Sequence, residues 1–81
     1  MIITEKVLPV ILKGKNLDDL KTIYLESKTI NKIVLKSNVF ENVLFLSLCG
    51  NNIKDIEFIS CFRNLWYLDL SDNPVNNFLL R

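Results

Sequence analysis

The chain has 81 residues, of which 49% are hydrophobic, 10% aromatic and 23% charged, with a net charge of +1 and no histidine. That describes one small domain at most, too apolar for a disordered chain and too near neutrality to attract nucleic acid or an anionic membrane surface. The missing histidine removes Ser-His-Asp and Cys-His nucleophile pairs, the usual zinc finger and any imidazole base, so no catalytic, cofactor or metal site is expected.

In chain order, Met1-Ile-Ile-Thr-Glu5-Lys6 shows no basic stretch ahead of a long apolar run, which makes it a poor secretory signal. No later apolar run approaches the ~20 residues that cross a bilayer. No asparagine opens an N-x-Ser/Thr acceptor site, and together these features point to an intracellular protein, cytoplasmic or nuclear. Lys13-Gly14-Lys15 lacks both the earlier glycine and the following Ser/Thr of a phosphate loop, so it reads as solvated loop charge. The other lysines of the first half are dispersed in the same way.

From Leu20 onward the chain repeats itself. Val43, Leu46, Leu48, Asn51, Ile53 and Ile56 fall on Leu65, Leu68, Leu70, Asn73, Val75 and Phe78 at an offset of 22. A further 23 residues back, Leu20, Ile23, Leu25, Ile30 and Ile33 fill the same apolar slots, with Lys28 in place of the asparagine. The segments between also match, Phe40-Glu-Asn42-Val43 over Phe62-Arg-Asn64-Leu65. A looser fit places Ile3, Lys6, Leu8 and Ile11 ahead of Leu25, Lys28, Ile30 and Ile33, so that the chain opens in mid-strand. The expected division of a single domain 1–81 is a partial unit 1–19 and repeats of about 20–42, 43–64 and 65–81.

The L-x-x-L-x-L-x-x-N-x-L pattern resembles the leucine-rich repeat family, in its short 22-residue subclass typified by the regulatory subunit of protein phosphatase 1. Bacterial internalins share a similar repeat length. The resemblance implies an α/β repeat, a leucine-rich-repeat solenoid with a short parallel β-sheet on the concave face and 3₁₀ or short helical returns on the convex face. The residues agree with that picture. Each L-x-L core alternates with period two, as a strand with one buried face does. From Ile53 to Leu68 apolar residues recur at every third position, which suits a 3₁₀-like return, best at 57–62 with a counterpart at Val34–Phe40. A side-chain amide where the chain leaves a strand can satisfy both N–H and C=O groups that the sheet no longer pairs, so Asn51 and Asn73 should form a ladder. Lysine offers donors alone, so Lys28 and Lys6 should interrupt it.

Positions between the buried slots should face outward: Tyr24 and Glu26, then Phe45 and Ser47, then Tyr67 and Asp69, with Leu44 and Trp66 at the margin. The repeat does not require large apolar residues there, and aromatic side chains on a rigid sheet are what protein-binding hot spots are made of. The expected function is therefore a non-catalytic protein–protein interaction module whose partner-binding residues are Tyr24, Glu26, Leu44, Phe45, Ser47, Trp66, Tyr67 and Asp69. The resemblance implies a phosphatase-regulator-like role with a phosphatase catalytic subunit as partner. It equally admits the spliceosomal, dynein and tubulin-handling partners of other subclass members.

Cys49 belongs to a strand and Cys61 to a return, on opposite sides of the repeat, so two free thiols are expected. Neither end looks like a cap. A solenoid with open ends exposes an apolar layer, so the alternative reading is an uncapped fragment of a longer repeat protein, or a chain that self-associates through those ends.

Overall fold

A computed structural model describes residues 1–13, 19–36 and 40–75. Its strands are three-residue elements: β1 (Ile2–Thr4), β2 (Thr22–Tyr24), β3 (Lys32–Val34), β4 (Phe45–Ser47) and β5 (Tyr67–Asp69). A four-residue helix α1 (Leu8–Ile11) follows β1, and a five-residue 3₁₀ turn (Glu57–Cys61) lies between β4 and β5. Pro9 sits in the first turn of α1, where its missing N–H costs no helical bond.

β2, β4 and β5 form a parallel sheet in that order, in the register Thr22↔Phe45↔Tyr67, Ile23↔Leu46↔Leu68 and Tyr24↔Ser47↔Asp69. Those partners are 23 and 22 residues apart, the spacing at which the apolar slots coincide. The ladder continues past the strands. Leu25 N–H donates to the Ser47 carbonyl (2.9 Å) and Leu48 N–H to the Asp69 carbonyl (2.8 Å). Two residues further on lies the turn. Ser27 (φ 53), Gly50 (φ 74) and Asp72 (φ 59) occupy equivalent positions and all take the left-handed conformation. Only Gly50 does so without a steric penalty.

The middle of each strand points inward. Ile23, Leu25, Leu46 and Leu48 are buried, as are Ile30 and Ile53 in the returns. Phe40 and Phe62 stack at 5.0 Å between ring centroids, and Phe58 meets Phe62 edge-on at 6.4 Å. Leu68, Leu70 and Val75, the third set of the same slots, are only partly buried against this core.

The start of the chain departs from the repeat alignment. Ile3 does not extend the β2 sheet alongside Leu25. Instead β1 pairs in parallel with β3, Ile3 opposite Ile33, as a separate two-stranded sheet. The segment expected as a helical turn from Val34 thus begins as a strand; residues 37–39 within it lie outside the described residues. The physical reason is local: Ile33 and Val34 are both β-branched, Ile33 alone turns inward between exposed neighbours, and β1 supplies the segment with a parallel partner. Ile3 and Leu8 are buried, and they line a core void of about 10 Å³ with Ile23, Leu25, Leu46 and Leu48. Ile3 and Leu8 thus join the core beside the β2 layer, while Ile2 and Val10 stay exposed. Phe78, Leu79 and Leu80 lie outside the described residues.

Candidate functional site

The asparagine slots show how the outer sheet is held in shape. Asn51 Oδ1 accepts from Lys28 N–H (2.9 Å) and Ile30 N–H (3.1 Å), while Nδ2 donates to the Leu25 and Leu48 carbonyls (2.8 Å each). Asn73 Oδ1 accepts from Ile53 N–H (2.9 Å), and its Nδ2 donates to the Leu48 carbonyl (2.8 Å) and to that of Leu70 (3.2 Å). Each amide thus ties its own bend to the preceding one, and both converge on the carbonyl of Leu48. Lys28 joins through its backbone N–H alone and its side chain is exposed; Lys6 is exposed in the turn after β1.

On this frame the outward strand positions form the candidate recognition face. Tyr24 is 62% exposed, Tyr67 52% and Phe45 37%, and Phe45 and Tyr67 lie 6.2 Å apart as tilted rings across the β4–β5 pair. Trp66, just before β5, is 78% exposed, and Leu44 is half-buried before β4. Both sit where the ladder begins, Trp66 N–H donating to the Leu44 carbonyl (2.9 Å) and Leu44 N–H to that of Lys21 (2.8 Å). Glu26 is exposed after β2, and Asp69 half-exposed at the end of β5.

Ser47 departs from the expectation of an outward, accessible side chain: it is 2% exposed. It lies on the central strand between the longer side chains of Tyr24 and Asp69, and its hydroxyl donates to the Glu26 carboxylate. A short side chain flanked by tall neighbours is covered by them. Ser47 therefore positions Glu26 and offers no accessible surface of its own.

Asp69 is held by Ser71, whose hydroxyl donates to Oδ1 at 2.6 Å and whose backbone N–H donates at 2.9 Å. Those bonds, the hydroxyl first, keep its carboxyl below the usual carboxylate range. Cys49 is partly exposed beside this pair, its sulfur 3.3 Å from the Ser71 hydroxyl oxygen and 3.9 Å from Asp72 Oδ2. Cys61 is buried in the 3₁₀ turn, and the two thiols are not joined. Ser71 is not among the residues singled out from the sequence. The signal was available in the Asp-x-Ser spacing, which closes a local side-chain-to-backbone turn.

Among the described residues, no three metal-ligating side chains converge, and no helix is long and apolar enough to cross a membrane. Two hollows, of about 340 and 300 Å³, lie along the β1–β3 side, one against Glu5, Lys6 and Lys36 and the other against Lys32, Asp55 and Glu57. Neither is lined by the aromatic residues of the outer sheet. No protein-family model, curated protein or solved structure matches the chain.

Proposed function

We propose that this chain is a leucine-rich-repeat-like solenoid segment that binds another protein on the outer face of the β2-β4-β5 sheet, without catalysis. The solenoid reading draws support from strands in parallel at the repeat offset, from asparagines that bridge successive bends, and from a left-handed residue at the same slot of each unit. The binding reading rests on one observation: Tyr24, Phe45 and Tyr67 stand exposed on one face whose fold needs no aromatic residue there. Flat rigid sheet, large two-torsion side chains and polar neighbours are the ingredients of a protein-binding hot spot. A phosphatase catalytic subunit is the first partner to try, on the resemblance alone.

The test is the combined variant Tyr24→Ser, Phe45→Ser, Tyr67→Ser, with circular dichroism as the check of folding. Capture of a partner lost with folding intact is the expected outcome. Capture unchanged would remove this face from consideration.

A second reading is favoured by the half-exposed Leu68, Leu70 and Val75, which leave the β5 layer less covered than the two before it. In that reading the chain is a structural segment, and another repeat unit or a second copy adds at β5. Sedimentation across a range of concentrations separates the two, since a mass independent of concentration counts against self-association.

A further inference from the structure

The two sheets differ in the signs of charge they present. The hollows of the β1–β3 side are lined by both signs, Lys6, Lys32 and Lys36 with Glu5, Asp55 and Glu57. On the outer sheet the outward positions hold two charged residues, Glu26 and Asp69, both acidic, although the chain as a whole is +1. Lys21 and Lys28 lie before and after β2 and not at its outward positions. Among the described residues neither Glu26 nor Asp69 forms an ion pair; the pair seen is Arg63–Glu41, at 3.6 Å. Both carboxylates flank Ser47, Glu26 through its hydrogen bond and Asp69 as the register partner one strand away, ~4.8 Å across the sheet. Two like charges gathered beside three exposed aromatic rings make a surface that favours a cation with an apolar stem.

We infer that this face receives a protein segment carrying a lysine or arginine, with its aliphatic stem against Tyr24, Phe45 and Tyr67 and its charged head over Ser47, between Glu26 and Asp69. The inference rests on the protein-recognition reading and adds the chemistry of the partner. Arginine suits the site best, because its planar head can stack on a ring and donate to two carboxylates at once.

A displayed random-peptide library panned on the intact chain tests it. Selected peptides should carry arginine or lysine next to an apolar residue. Binding of one such peptide should vanish in the triple aromatic variant, or fall sharply in Tyr24→Ser alone should the triple variant not fold. Glu26→Gln with Asp69→Asn should weaken it about tenfold, as should raising salt from about 0.05 to 0.5 M. Peptides without basic residues that need the aromatic rings but ignore salt and both acids would overturn the basic-partner inference and leave protein recognition standing. No enriched peptide, or peptides indifferent to the aromatic rings, would overturn both.

Discussion

Asn51→Ala removes the amide that joins two successive bends, and the structure allows its cost to be worked through. Four strong hydrogen bonds are lost, but their consequences differ. Lys28 is exposed, so water replaces the amide at its N–H. Leu48 keeps the bond from Asn73 at 2.8 Å. Ile30 N–H and the Leu25 carbonyl belong to buried residues and have no such substitute. An orphaned buried polar group costs ~1–3 kcal/mol, so with two of them the variant should lose about 2–6 kcal/mol. A domain of 81 residues has about 4–12 kcal/mol in all, so this is a large fraction of its stability. Asn73→Ala is the internal control: it orphans Ile53 N–H, while Leu48 retains Asn51. Its cost should be ~1–3 kcal/mol. Urea unfolding followed by circular dichroism is the suitable assay, because Trp66 is too exposed to report on the core. With a slope of ~1–1.5 kcal/mol per molar urea, Asn51→Ala should lower the midpoint by at least about 1.5 M. A midpoint within about 0.3 M of the parent, or a larger loss from Asn73→Ala, would refute the reasoning that the amides act through buried backbone groups.

Three further outcomes are expected. Leu8 is 2% exposed, so Leu8→Ala should cost ~2–5 kcal/mol, whereas Val10→Ala, at a position 76% exposed, should cost less than ~0.5; equal effects would mean that the N-terminal segment does not seal the core. Asp69 has a folded-state pKa below its ordinary 3.8, so the stability it contributes is present above that value and is lost as pH falls through the lower, folded one. In Ser71→Ala the carboxyl-carbon titration of Asp69 should move back towards 3.8, and an unmoved titration would assign the shift elsewhere. A thiol reagent should modify Cys49 in the native protein and Cys61 only after unfolding, because one is partly exposed and the other buried; simultaneous modification would contradict that burial.

The outer sheet was legible in the sequence because two signals coincide there. Period-two alternation marks each strand, and the 22- and 23-residue offsets give its register, Ile23 to Leu46 to Leu68. The amide slots were legible for a chemical reason, since few side chains both donate and accept within a tight bend. The β1–β3 pair was not. Ile3 and Ile33 are 30 residues apart, which is not a repeat offset, and two three-residue strands carry too little pattern to announce a partner. Within the candidate site, exposure of Tyr24, Phe45 and Tyr67 follows from alternation, but alternation says nothing of side-chain height, so it missed the burial of Ser47. The left-handed slot was not read from the sequence: a glycine stands there in one unit alone, and Ser27 and Asp72 are residue types that occur in many other conformations.

The shared turn at Ser27, Gly50 and Asp72 bears on how a chain of this kind can change length. Ser27 N–H donates to the Cys49 carbonyl and Gly50 N–H to that of Ser71, both at 3.0 Å, so each unit offers its successor the same bonds that its predecessor offered it. A tandem duplication of Val43–Asn64 would therefore enter the sheet as an extra strand with familiar neighbours on both sides, adding surface without asking any existing contact to change. An insertion ahead of Lys32 has no such freedom, because the β1–β3 spacing is used once. Lengthening is thus open on the β4–β5 side, and an outer face built this way can be widened one stripe at a time.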